Sequence, residues 1–328
     1  MDFWGYAADR GVVRGIFAAA VAALVLAPVA AARPMLGVAG DGARFTSLTG
    51  QRSSTSHMYL GWGQGRTWGS SFDRIFPKLG TAPLVTITTF RWPSKRSVLT
   101  PLQIARGAGD AYLIAFNAAI FRAGRQVFYV RPLGEMTGWW NPWCAYTRDG
   151  RTKGAAYSTA AFRKAFARMY LLLHGGTAAE LNARLARLGL PGVNSDLAVN
   201  PFPTLRVIWG AQAHGDPQVP GNAPARYYPG DAYVDVVGDD PYDLGSVDWP
   251  AIERFYNAHP RKGFAFPEWG MQGLDDAGFV AHMAAFVKIH RRVELLSFFN
   301  GKAGGAYDLA SKPRARAAYR RLIVPLGL

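Results

Sequence analysis

Past residue 33 the chain alternates short β-rich apolar runs with longer segments of helical periodicity, and eight such runs stand out. They cover residues 34–40, 58–63, 84–90, 126–133, 205–212, 233–240, 263–270 and 294–301. A strand followed by a helix, repeated, is the pattern of parallel pairing, because a parallel neighbour is reached only through a crossover segment. Eight units is the number that closes on itself, so the sequence predicts an α/β fold, a single-domain (β/α)8 TIM barrel over residues 33–328. A length of 328 residues would allow two domains, yet one barrel of this size is ordinary.

Helical periodicity is clearest over residues 111–122, 160–173, 251–258, 278–290 and 313–323. In the fourth of these, Phe279, Val280, Met283, Phe286, Val287 and Ile289 fall largely on one face while His282, Lys288 and Arg291 face away, as in an outer-ring barrel helix. Residues 177–200, between the fourth and fifth runs, read as an insertion in one barrel unit, with a helical start and a loop-like end. No repeat of fixed period is visible.

The first 32 residues read as a signal peptide. Arg10 and Arg14 precede an apolar run over residues 15–30, and the small residues Ala30, Ala31 and Ala32 follow. The run is broken by Pro28 and falls short of the roughly 20 residues a membrane span needs, so cleavage near Ala32 and a secreted or periplasmic location are expected, with no stable membrane span. That segment holds two arginines and two aspartates, so the shorter chain keeps the formal charge of +15. Colloidal solubility or loose adhesion to an anionic surface accounts for such a charge. The basic residues are scattered, clustering only at Arg291–Arg292 and along Lys312 to Arg321, and without a reader module no nucleic-acid partner is expected.

Several chemistries are excluded. The single cysteine, Cys144, forbids an intrachain disulfide and any cysteine-based metal site, and is expected to be inert. The six histidines include no HExxH or other pair at metal-ligand spacing, and most fall on expected helices or loops. There is no GxSxG elbow and no P-loop. Neither a metal nor an organic cofactor is implied.

Two run ends are unusual. The fourth leads through VFYVRPL into Gly134 and Glu135 and then an aromatic loop, GWWNPW, while the seventh leads through FAF into Pro267, Glu268 and Trp269. Each apolar run ends in a carboxylate beside indoles. Strand C-terminal ends form the catalytic face of a barrel, so Glu135 and Glu268 are expected in one mouth. Two facing carboxylates suit glycoside hydrolysis, and the indoles Trp139, Trp140 and Trp269 are candidates for stacking on sugar rings. Trp62, at the end of the second run, is either a further platform or plain packing; Trp209, inside the fifth run, reads as core.

On these residues the chain resembles glycoside hydrolase family 26, best known for endo-β-1,4-mannanases, within the clan of retaining barrel glycosidases. The motifs are TPLQIARGAGDAYL at 100–113, RPLGEMTGWWNPW at 131–143, YYPGDAYVDVVGDDPYD at 227–243 and FPEWG at 266–270. The resemblance implies that Glu135 is the acid/base and Glu268 the nucleophile, that Arg131 and Trp140 line the site, and that Tyr242 sits against the nucleophile. It also marks a departure: Gly134 stands where the family carries histidine, and Thr137 where it carries asparagine. Either a bulkier substrate or another side chain is expected to fill the space at Gly134, with weak action on plain mannan. The expected function is retaining, endo-acting hydrolysis of a β-linked polysaccharide by a monomer. The alternatives are a β-glucanase or exopolysaccharide hydrolase of the same fold, or a silent polysaccharide-binding barrel.

Overall fold

The computed structural model of the chain describes residues 33–327 apart from 92, 93 and 95, and the segment read as a signal peptide lies outside them. Eight strands run parallel: β1 (Met35–Ala39), β2 (Thr55–Leu60), β3 (Leu84–Ile87), β4 (Phe128–Pro132), β5 (Leu205–Gly210), β6 (Val236–Gly238), β7 (Gly263–Met271) and β8 (Val293–Phe299). Each pairs with the next, and β8 pairs with β1 over the whole of that strand, from Met35 opposite Leu295 to Ala39 opposite Phe299. The sheet is therefore closed, and the free edges of an open sheet are gone. A two-residue strand, Tyr242–Asp243, adds to the upper end of β7. The expected (β/α)8 barrel is what the chain forms.

The helices among the described residues are α1 (Gly42–Thr49), α2 (Phe72–Ile75), α3 (Pro101–Ala105), α4 (Asp110–Ala123), α5 (Thr159–His174), α6 (Ala178–Arg187), α7 (Trp249–Ala258), α8 (Ala277–Ile289) and α9 (Pro313–Leu322). None is long and apolar enough to cross a membrane. Between β5 and β6 the described chain has no α-helix; three single-turn 3-10 segments cover that side instead. Ile289 leaves the buried face expected for it and is 75% exposed, because it ends α8 beyond the last turn that packs on the sheet.

Side chains alternate in and out along each strand, which splits the apolar interior in two. Leu84, Tyr129, Ile208, Val236, Ala265 and Leu295 fill the floor of the barrel, while a larger cluster packs the outer face of the sheet against the helices. One inward step above Tyr129 on β4 comes Arg131, opposite Thr86 on β3. The neighbouring position on β5 is Gly210, where a Cβ would stand 2.7 Å from Arg131 Nε, so the missing side chain makes room for the guanidinium. The floor is apolar and the layer above it is charged, which sets the height of the site.

Residues 177–200 fold back on the barrel. A capping box of Thr177 and Glu180 starts α6, and two buried amides hold the returning loop. Asn117 Nδ2 donates to Leu173 O (2.9 Å) and Ala198 O (2.8 Å), while Asn200 Nδ2 donates to Asn117 O (3.1 Å) and Leu173 O (3.0 Å). Asn117→Ala strips two buried carbonyls of a donor and should cost about 1–3 kcal/mol. Urea unfolding of the two proteins checks this, and an unchanged midpoint would contradict it.

Candidate active site

Both carboxylates owe their direction to an irregularity of the backbone. After β4 the chain takes left-handed dihedrals at two non-glycine residues, Leu133 (φ 51°) and Glu135 (φ 52°), a conformation that costs energy and is kept where the surroundings impose it. Leu133 N–H donates to Ile87 O (2.8 Å) and Glu135 N–H to Gly210 O (2.7 Å), so β3 and β5 hold the bend. On β7 the register with β8 slips between Phe266 and Trp269, where three steps on β7 meet two on β8. That bulge, at Pro267 and Glu268, turns Glu268 inward and Trp269 outward.

Glu135 and Glu268 line one cavity of about 660 Å³ at the C-terminal mouth of the barrel, together with Trp140, Gln212, Asp216, Asp239, Asp240, Tyr242, Phe299 and Tyr307. Glu135 accepts hydrogen bonds from Trp140 Nε1 (2.7 Å) and Asn141 Nδ2 (3.3 Å). Glu268 accepts from Tyr242 Oη (3.0 Å) and is ion-paired with Arg131. The two differ electrostatically. Burial, then the charge of Glu268, pushes the Glu135 carboxyl up from its ordinary range. Burial also acts to raise Glu268, yet Arg131 foremost, with the Tyr242 hydrogen bond, holds it below that range.

Arg131 is the hub. It is 1% exposed, ion-paired with both Asp240 and Glu268, and Asp240 in turn accepts the Glu268 backbone N–H at 3.0 Å. Expected among the residues lining the site, it lies instead beneath the cavity, with its two terminal nitrogens each paired to a carboxylate. It also explains Gly134: a side chain built there would overlap the Arg131 guanidinium. The space is thus filled, by the second of the two routes anticipated. Thr137 is buried, its Oγ accepting from Gln212 N–H (3.3 Å) and its carbonyl from Asn222 Nδ2 (2.8 Å), so it pins the loop under the cavity.

Of the expected platforms, Trp140 alone reaches the cavity, 42% exposed. Trp139 packs edge-on to Trp140 with Arg148 over its face, outside the cavity lining. Trp269 is fully buried, stacked on Tyr319 with centroids 5.6 Å apart, because the bulge turns it toward the helices. Trp62 is buried against Tyr112, and any Cβ at Gly109 would overlap its indole, so it packs rather than binds. Trp209 is core, as read.

Sequence reading missed His57, Asp239 and Asp240. His57 lies on β2 ahead of the apolar run and is buried with Nε2 2.8 Å from Thr86 Oγ1; burial pulls its pKa down to about 3, so the ring is neutral. Asp239 and Asp240 follow β6, and two adjacent carboxylates ending an apolar run were the signal available. Burial pushes Asp239 up to about 7. Among the described residues no group of three or more His, Cys, Asp and Glu side chains is placed to hold a metal ion.

No protein-family model matches the chain. Endoglucanase H of Acetivibrio thermocellus is 21% identical over 293 residues, 85% of this chain, and the chain spans 28% of that protein's length. Among solved structures, the Bacillus subtilis mannanase has a TM-score of 0.55 at 18% identity, over 88% of this chain and 85% of that one. The family 26 β-mannanase of Bacteroides ovatus has a TM-score of 0.54 at 16% identity, over 90% of each chain. The barrel is the fold shared with the two solved structures, so the family resembled in sequence is also the one met among them.

Replacing Arg131 with Met leaves Asp240 and Glu268 buried without their cation, and should destabilise the fold by about 3–5 kcal/mol at pH 7. Because Arg131 holds Glu268 below its ordinary range, this contribution is present above that range and fades as the carboxylate protonates. The gap between variant and parent in urea should therefore narrow below about pH 4. A gap of equal size at pH 7 and pH 3.5 would mean that lost packing, not charge, is what is measured.

Proposed function

We propose that the chain is a retaining, endo-acting glycoside hydrolase of the β-mannanase type that cleaves a β-linked polysaccharide. The observation that carries this reading is the opposite environment of two carboxyls on one cavity. Glu135, pushed up, keeps a proton for the leaving oxygen; Glu268, held down by Arg131 and Tyr242, stays ionised to attack the anomeric carbon. Glu135 then acts as base toward water and returns the enzyme to its starting state. Trp140, donating to Glu135 and half exposed, supplies both a hydrogen bond and a ring face for a sugar. The left-handed backbone at Glu135 adds weight, since such strain collects at working sites.

A β-glucanase is the second reading. It is favoured by the filled space at Gly134, which replaces an imidazole with a guanidinium already committed to two carboxylates, and by the name of the curated relative. An acidic exopolysaccharide fits less well: the cavity lining includes Glu135, Asp216, Asp239, Asp240, Asp248 and Glu268 but no lysine or arginine, so the +15 charge lies elsewhere. The reading further takes residues 1–32 as an export signal, residues 33–328 as the catalytic domain, and the working form as an exported monomer without cofactor, metal or nucleic-acid partner.

Release of reducing ends from a panel of mannan, glucomannan, β-glucans and xylan tests the class, and no release from any of them overturns it. On the best substrate, Glu268→Ala should abolish turnover with every leaving group. Glu135→Ala should keep the first step on aryl glycosides with good leaving groups and be rescued by azide in the second. Identical responses of the two variants to azide and leaving group would overturn the roles assigned.

A further inference from the structure

Four carboxyls, Glu135, Asp239, Asp240 and Glu268, crowd the floor and wall of the cavity, and one guanidinium serves them. Arg131 is committed to Asp240 and Glu268; Glu135 has Trp140 and Asn141. Asp239 is left without a cation. It follows β6 directly, is 3% exposed, and accepts the Ala213 N–H at 2.8 Å through Oδ1, while its side chain forms part of the cavity wall.

We propose that Asp239 is a further glycan-binding residue, a carboxyl that works in its protonated form and donates a hydrogen bond to a sugar hydroxyl beside the two reacting glutamates. The inference rests on the glycosidase reading and extends it to a residue outside the reacting pair. All four carboxyls ionised would leave three uncompensated negative charges around one cavity, two of them on largely buried side chains, which burial opposes. Arg131 is ion-paired with two of them, Asp240 and Glu268; burial raises Asp240 against that pairing, and Glu135 and Asp239, which have no such partner, are the groups left to take up protons. Of the groups facing Asp239, Glu135 adds to burial in raising its pKa, while the backbone N–H groups of Ala213 and Asp240, with Arg131, oppose without overcoming burial. Tyr242 and Tyr59, whose hydroxyls are pushed well above their ordinary range, and neutral His57 bring no positive charge. A neutral acid with one oxygen fixed by Ala213 is an oriented donor, and a hydroxyl-bearing ligand is its natural acceptor.

The test compares the parent with Asp239→Asn and Asp239→Ala on the best glycan from pH 5.5 to 8.5. Asn keeps a carbonyl for Ala213 and a donor for the sugar. The expected result is a parent KM that rises above about pH 7, an Asn variant within about twofold of the parent at pH 6 but lacking that rise, and an Ala variant with KM raised roughly tenfold at all pH values. The kcat values should move less than the KM values. In parallel, infrared difference spectra of the free protein, parent against Asp239→Asn, should show a carboxylic-acid carbonyl band that titrates away near pH 7. Absence of that band at pH 6, an Asn variant as impaired as Ala, or persistence of the KM rise in the Asn variant would overturn the proposal. Failure of the parent to cleave any glycan would overturn the glycosidase reading, while the infrared band would still decide where the proton sits.

Discussion

One guanidinium set among buried carboxylates governs this molecule. Arg131 rises from the floor of the barrel between β3 and β5, and its ion pairs reach Asp240 after β6 and Glu268 on β7. It therefore ties strands from opposite parts of the sheet at the height where the apolar floor ends. A buried ion pair contributes little net stability against an apolar substitute, but breaking one side of it is costly. Its value here lies in fixing which carboxyl is charged. It holds Glu268 below its ordinary range while burial raises Glu135 and Asp239, and so sets carboxyls on one cavity apart.

The same guanidinium accounts for two glycines. Gly210 and Gly134 flank it, and neither position has space for a side chain while Arg131 keeps its place. A histidine at 134 and this placement of Arg131 exclude one another sterically. The departure from the family pattern is therefore a rearrangement of the charged layer rather than a vacancy.

Backbone geometry does the aiming. The left-handed turn at Glu135 and the bulge at Glu268 interrupt regular structure just where regular alternation would send a side chain the wrong way. The bulge separates neighbours: Glu268 turns to the cavity and Trp269 to the helical layer, where it stacks on Tyr319. Adjacent residues that look like one motif thus serve different parts of the structure.

What the sequence determined by itself is what periodicity and residue type can express. Eight apolar runs at crossover spacing require a parallel sheet that closes, and carboxylates ending the fourth and seventh runs fall at one mouth because all strands point the same way. Polar residues within or beside a strand were harder to place: the second run was read from Met58, and His57 was lost because a buried histidine breaks the apolar pattern that marks a strand. Which indoles meet solvent, that Arg131 lies under the site, that Asp239 stands on the cavity wall, and that the space at Gly134 is taken were decided only by tertiary structure. The physical reason is common to all of them. Each depends on which way a side chain turns at an irregular backbone step and on which charge lies across the barrel from it, and residues 131, 240 and 268 become neighbours only when the sheet closes.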